Sequence, residues 1–278
     1  MRSTATRLLR DARARLGLDE AQRSLEPDRD GRLAFRCNLC NARNRVAPAL
    51  LSREATSCDN CGSTVRFRSI AHLLVHELLG KDCALTKLRP RRDIRGIVLS
   101  DAEAYAKPLA RLFDYTNTFF HAPPRLDITD VPQALRGVHD FVIASDVFEH
   151  VAPPVDRAFQ GARSLLRADG VLILTVPFSL EAETVEHFPD LHDFRIVEVD
   201  GERRLHNRTI DGREQAYDGL MFHGGDGATL EMRLFSRDAL ERGLRKAGFT
   251  RVRFADDPCA RFGIVWPKPW SVPIVARP

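Results

Sequence analysis

The 278-residue chain has no apolar run approaching the ~20 residues that a membrane span needs. Its apolar segments, such as Asp140-Phe-Val-Ile-Ala-Ser and Val171-Leu-Ile-Leu-Thr-Val-Pro, are far shorter, which excludes a transmembrane helix. An apolar signal-peptide core is also missing, because Asp11 and Arg13 interrupt the basic N-terminus, and a cytoplasmic protein is expected. Charge of one sign is not in large excess. A formal net charge of +4 does not by itself imply a nucleic-acid partner. Six cysteines are too few for a disulfide scaffold in a chain this long. No internal repeat is visible. What is present is 44% hydrophobic and 29% charged sequence, enough to bury one core of roughly 150 to 200 residues plus a smaller module.

The pattern changes along the chain. Residues 1 to about 30 alternate Arg, Ala and Leu with acids and predict a short helical extension ending near Pro27-Asp-Arg-Asp-Gly31. Paired cysteines and turn residues mark residues 31–70. Ile70-Ala-His-Leu-Leu-Val-His-Glu-Leu-Leu then has helical spacing, with Gly80 placed to cap it. From residue 71 to about 255, strands and helices alternate: Ile97-Val-Leu, Tyr115 to Phe120, Phe141 to Ala144 and Val171 to Val176 are strand-like. That alternation predicts a parallel sheet with helices on both faces. The polar stretch 180–230, with Asp200-Gly and Asp211-Gly, predicts an insertion of hairpins and loops. Ser236 is expected to cap a helix, Gly248 to end it, and Phe249 to Phe254 to form a strand. The segment 256–278 is rich in proline, and neither a long helix nor a central strand is expected there.

Cys37 and Cys40 form one CxxC pair and Cys58 and Cys61 a second, at zinc-ribbon spacing. Each pair brings two thiolates to one tight turn, and two turns close a tetrahedron around a structural Zn2+ with no open position. A thioredoxin-like redox reading accounts for one pair but not for two. Cys83 and Cys259 read as small, partly buried hydrophobes. The same region carries Arg32, Arg36, Arg43, Arg45, Arg53, Arg66 and Arg68 against only Glu54 and Asp59. RNA or DNA contact through phosphates therefore stands beside a plain solvated surface.

Two stretches carry a specific likeness. Asp140-Phe-Val-Ile-Ala-Ser-Asp-Val-Phe-Glu-His-Val, followed by Leu165-Leu-Arg-Ala-Asp-Gly-Val-Leu-Ile-Leu-Thr-Val-Pro-Phe, resembles two successive motifs of class I S-adenosylmethionine-dependent methyltransferases of the type 11-like kind. In that family the first is the fourth strand with its "LEHV" helix start, and the second is the turn into the fifth strand. Arg233-Leu-Phe-Ser with Ala247-Gly-Phe looks like the family's final helix and strand. The resemblance spans about residues 71 to 255. It implies a Rossmann-like α/β sheet, mostly parallel with an antiparallel last strand, beside an N-terminal zinc ribbon, and S-adenosyl-L-methionine as cofactor.

The family's glycine-rich loop after the first strand is absent; Ser100-Asp-Ala-Glu occupies its place. The likeness to ribbon-bearing members implies that Ser100, Asp101, Ala102 and Glu103 face the methionine part of the cofactor. It also implies that Asp127 and Ile128 flank adenine. The strand ending at Ala144 delivers Ser145 and Asp146 to the carboxyl edge of the sheet, where open parallel sheets bind ligands. Methyl transfer needs alignment of the acceptor and, for some acceptors, a base; His150 is the base candidate and Asp146 its companion. On a helix, Asp146, Glu149 and His150 would share one face, with Asp146 capping and Glu149 solvated. Phe178, His223 and Arg233 are the substrate candidates, His223 because the glycines after it allow close backbone approach. The expected reaction is methyl transfer to an oxygen of a small-molecule or glycan-like acceptor. RNA methylation and a non-catalytic cofactor-binding role remain as alternatives.

Overall fold

The computed structural model describes residues 26–199, 201–223 and 229–278. Most of the helix expected over residues 1–30 lies outside these residues, as do Asp200 and the glycines after His223. The chain forms two compact units: one holds the described residues up to Asp93 with 102–114 and 255–269, the other 94–101, 115–254 and 270–278.

In the first unit, β1 (Leu33–Arg36) and β2 (Arg43–Val46) pair as an antiparallel hairpin with Leu33 opposite Val46. Their burial alternates with period two, so Leu33, Phe35, Asn44 and Val46 face inward. Helix α1 (Val65–Leu79) starts at Thr64, whose hydroxyl oxygen accepts from the Phe67 amide at 3.2 Å. It ends at Gly80 in the left-handed conformation, as the sequence predicts. The helix begins earlier than the apolar spacing at Ile70 indicates, because Arg68 is turned inward and buried. Helix α2 (Glu103–Leu112) packs on α1, with the Phe67 and Tyr105 rings 5.0 Å apart.

The second unit is built on a sheet of six strands: β3 (Arg91–Leu99), β4 (Phe113–Thr118), β5 (His139–Ser145), β6 (Leu166–Thr175) and the later β13 and β14. Helix α3 (Asp156–Leu165) joins β5 to β6. After β6 come β7 (Phe178–Ser179), β8 (Val185–Glu186), β9 (Asp193–Val199), β10 (Glu202–Arg208), β11 (Glu214–Tyr217) and β12 (Arg233–Ser236). Helix α4 (Arg237–Lys246), β13 (Arg251–Phe254) and β14 (Ile274–Arg277) complete the chain. The order across the sheet is β13-β14-β6-β5-β3-β4. Strands β3, β5 and β6 run parallel, and β14 runs antiparallel to β6 and β13. The sheet is thus mostly parallel with an antiparallel last strand, as the resemblance implies.

Strand β14 overturns the expectation for the proline-rich end. Ile274–Arg277 fits between Pro273 and Pro278 and pairs on both sides, with β6 and with β13. A proline removes a ladder donor only at its own position, so four residues free of proline suffice for an internal strand.

Three glycines fix the packing of this sheet. A Cβ on Gly96 would lie 2.0 Å from the Phe141 ring, and one on Gly161 of α3 1.8 Å from the Ile128 carbonyl oxygen. A Cβ on Gly170 would meet Leu166 at 2.9 Å and two carbonyls at 3.2 Å, so the glycine serves backbone approach.

Within the 180–230 stretch three strands pair through turns. They fold as an antiparallel sheet in the order β11-β10-β9 over an apolar cluster of Phe188, Leu205, Leu230 and Met232. Helix α4 is capped by Ser236, which accepts from the Ala239 amide at 3.1 Å, and Gly248 with positive φ follows its end.

Candidate functional site

The two CxxC pairs adopt the same turn. The Asn41 amide donates to the Cys37 carbonyl and the Gly62 amide to the Cys58 carbonyl, each at 2.8 Å, and Asn41 and Gly62 both have positive φ. The four sulfurs all lie within 4.8 Å of one another, with Cys37 to Cys61 at 3.7 Å and Cys40 to Cys58 at 3.6 Å. Sulfurs about 2.3 Å from a tetrahedral Zn2+ stand roughly 3.8 Å apart, so the cluster has the dimensions of a metal cage. The hydrogen bond between the Cys37 and Cys61 sulfurs favours a thiolate within that pair, drawing the Cys37 thiol down and pushing Cys61 up.

Arg68 backs this cluster. Fully buried, its guanidinium donates from Nε to the Phe262 carbonyl at 2.8 Å and from Nη2 to the Gly263 carbonyl at 2.9 Å. Nη1 donates to the carbonyl and hydroxyl of Ser63, whose Oγ stands 3.3 Å from the Cys37 sulfur. Every one of these acceptors is neutral. The groups beside this cation that could carry a compensating negative charge are the four cysteine sulfurs. Burial lowers its pKa to about 10 while the four cysteines oppose the shift.

The other arginines are largely engaged. Arg45 pairs with Asp28 and Asp30, Arg53 and Arg66 share Glu54, and Arg36 donates to the Asn41 carbonyl at 3.0 Å. Arg32 and Arg43 stay exposed, without an ion pair among the described residues.

In the second unit, the strand ends form one polar edge. Leu99 and Ala144 are register partners, as are Ser145 and Thr175, and the Ser100 amide donates to the Thr118 carbonyl at 2.8 Å. Ser100 and Asp146, the residues leaving β3 and β5 edge, both adopt positive φ, at 55° and 54°, and turn the chain off the sheet there. Such backbone in non-glycine residues clusters at ligand sites. Asp146 is held by Thr175: its amide donates to the Thr175 carbonyl at 2.8 Å, and Thr175 Oγ1 donates to its carboxylate at 3.1 Å. Ser145 Oγ lies 3.0 Å from Thr175 Oγ1. Asp101 is buried, accepts from the Tyr115 hydroxyl at 2.5 Å, and exchanges main-chain hydrogen bonds with the Asn117 side chain. Glu103 opens α2, exposed and paired with Lys107, and Ala102 stands at the N-cap without a side-chain cap. Asp127 closes its own turn by accepting from the Thr129 amide and hydroxyl, while Ile128 is buried against Gly161.

The expected helix across Asp146, Glu149 and His150 is not formed. A single 3-10 turn, Phe148–His150, replaces it, and Asp146 with its positive φ cannot cap it. Glu149 is buried rather than solvated, because its main-chain carbonyl is drawn in by the Met232 amide at 2.8 Å. His150 donates from Nδ1 to the Leu230 carbonyl at 3.0 Å, which fixes the tautomer with the lone pair on Nε2. Burial lowers its pKa, the strongest of the causes acting on it.

The three substrate candidates are not brought together as one set. Arg233 is buried, with Nε on Glu186 at 2.8 Å and Nη1 on the Phe148 and Val151 carbonyls, so it braces β12 against the 148–151 turn. Phe178 lines a cleft of about 380 Å³ with Pro177, Leu180, Leu234, Trp270 and Ser271. Trp270, which no motif or spacing marks, is the exposed aromatic of this lining. His223 stands instead beside His150, with ring centroids 5.6 Å apart. Its Nε2 donates to Glu231, whose other oxygen accepts from His187 Nε2 at 3.0 Å. Glu231 carries no spacing signal, since its two histidine partners lie 44 and 8 residues away.

No protein-family model matches the chain, and no curated protein matches it. Solved structures with a similar outline include 1,6-didemethyltoxoflavin-N1-methyltransferase of Burkholderia thailandensis, at 18% identity, 76% of this chain and 77% of that one, with a TM-score of 0.40. The sugar N-methyltransferase KedS8 of Streptoalloteichus is 14% identical over 77% of this chain and 87% of its own, with a TM-score of 0.43. Streptomyces venezuelae DesVI is 13% identical over 77% and 91%, with a TM-score of 0.40. The fold itself is an α/β sheet, mostly parallel with an antiparallel last strand, and four cysteines of the chain are placed to chelate a metal. Among the described residues no helix is long and apolar enough to cross a membrane.

Proposed function

We propose that the chain is an S-adenosylmethionine-dependent methyltransferase acting on an oxygen of a small-molecule or glycan-like acceptor. The observation that supports this reading is the paired departure of β3 and β5 from the sheet through positive-φ Ser100 and Asp146, side by side at the carboxyl edge. When bound, the cofactor supplies an activated methyl group. Ser100, Asp101, Ala102 and Glu103 offer main-chain groups to its methionine part in place of the missing glycines. Asp127 and Ile128 bound the adenine, and Ser145 and Asp146 face its centre. His150 and Asp146 border the reacting corner, and the cleft of Phe178 and Trp270 receives an acceptor with an apolar face.

The four cysteines hold a structural Zn2+. With all four positions taken by sulfur, the metal carries no chemistry of transfer. RNA methylation through the basic cysteine-bearing segment stays the alternative, with Arg32 and Arg43 exposed there.

Calorimetric titration with S-adenosylhomocysteine is the test, with saturable binding at one site expected. Asp146→Ala is expected to weaken it at least tenfold, the loss that about 1.4 kcal/mol of contact corresponds to. Absence of binding to the zinc-loaded wild type would remove the proposal.

A further inference from the structure

Beside His150 lies a second group of titratable side chains at the base of the insertion. Leu230, Glu231 and Met232 bring it together. The Leu230 carbonyl accepts from His150, the Glu231 carboxylate accepts from His223 and His187, and the Met232 carbonyl accepts from the His187 amide at 2.9 Å. The Glu231 side chain is only 9% exposed. A buried carboxylate needs its oxygens satisfied, and here an imidazole sits on each.

The two imidazoles nearest the reacting corner differ in what they can do. His150 has a side chain 15% exposed, is anchored at Nδ1 to a neutral carbonyl, and has its Nε2 turned inward to the Glu149 carboxylate at 3.9 Å, so that nitrogen faces the protein and not an incoming acceptor. His223 is 52% exposed and anchored to a carboxylate. With Nε2–H donated to Glu231, its lone pair is on Nδ1, and among the described residues Nδ1 has no hydrogen-bond partner. A carboxylate behind an imidazole sets its tautomer, fixes its orientation and stabilises the imidazolium that forms.

Resting on the methyltransferase reading, we propose that His223 Nδ1 takes the acceptor's proton, that Glu231 is its positioning residue, and that His187 holds Glu231 in place. The acceptor class follows: a group that still carries its proton as it reacts, a hydroxyl or a protonated nitrogen, rather than a thiolate or a carbanion. The proton leaves the acceptor oxygen or nitrogen for Nδ1, the ring becomes an imidazolium paired with the Glu231 carboxylate, and it is discharged to solvent through the exposed edge of the ring.

The test uses the full-length zinc-loaded protein, methyl-labelled S-adenosylmethionine and the small-molecule fraction of a cell extract as acceptor. His223→Gln is expected to lower incorporation about 100-fold, the scale of a lost general base, and to do so more than His150→Gln. Its S-adenosylhomocysteine affinity should stay within about twofold of wild type on that view. Glu231→Gln, which keeps the shape, is expected to lower kcat about tenfold with little change in KM for the cofactor, a split that a merely structural role would not give. In long-range proton–nitrogen spectra of the wild type, His223 should appear as the Nε2–H tautomer. An active wild type whose His223→Gln variant retains its rate, or an Nδ1–H tautomer at His223, overturns the assignment and leaves the methyltransferase reading standing. No cofactor binding and no incorporation by wild type overturns both.

Discussion

Arg68 shows what single residues carry here and what a sequence hides. In the string it is one of seven arginines around the cysteines and reads as surface charge. In the structure it is fully buried, stacked on the Phe35 ring at 4.5 Å, with each of its three nitrogens on a neutral oxygen next to four sulfurs. Removing one member of a buried charge pair costs about 3 to 5 kcal/mol. Arg68→Leu is therefore expected to lower the urea midpoint strongly and to weaken zinc retention against a chelator. An unchanged midpoint in a folded variant would show that the thiolates do not need this cation. The cysteines themselves were legible because metal binding imposes a local spacing. The His223–Glu231–His187 set was not, because it is assembled by strand register across the insertion.

At the level of elements, periodicity located the strands β3 to β6 and the helix ends at Gly80 and Gly248, where a left-handed glycine leaves a readable mark. It missed β14, whose four residues are too few to outweigh the prolines on either side. It also drew a helix after Asp146 where tertiary hydrogen bonds from β6 and from Met232 hold a short turn instead. The contact of α3 with the Asp127-Ile128 turn is a packing fact no periodicity contains. A Cβ at Gly161 would stand 1.8 Å from the Ile128 carbonyl, so helix and turn must part. Gly161→Ala is expected to destabilise by roughly 2 to 3 kcal/mol, as overpacking does, and to weaken S-adenosylhomocysteine binding through the displaced turn. Paired thermal melts and titrations measure both; destabilisation without any loss of affinity would detach Asp127 and Ile128 from the cofactor.

For the whole molecule, pH and metal are the levers. His139 is buried with Nδ1 on the Leu165 carbonyl, and burial holds its pKa, like that of His150, below the ordinary value. The unfolded chain then binds protons more readily than the folded one. Their stabilisation is complete above about pH 6.5 and declines as pH falls from there toward the lowered folded values. Urea unfolding at pH 7.5 and pH 5.5 should show the loss, and His139→Gln should reduce its slope. A midpoint that rises on acidification would contradict the sign.

Metal removal acts through a different set of residues. In the first unit the Cys37 sulfur, Ser63, Arg68 and the carbonyls of Phe262 and Gly263 form one chain of contacts. Gly263 itself is fixed in it, with positive φ and no space for a Cβ, which would lie 2.6 Å from the Phe35 ring. Stripping the metal returns protons to the thiols and leaves the Arg68 cation without its counter-charge, so residues 33–79 and the 259–264 turn should loosen together. Hydrogen exchange measured before and after chelation reads this directly, and faster exchange is expected in both segments. By reciprocity, Gly263→Ala, which touches no sulfur, should lower zinc affinity in equilibrium competition with a chelator. Faster exchange confined to residues 37–61, with Gly263→Ala holding zinc as wild type does, would show that the metal organises only its own two turns.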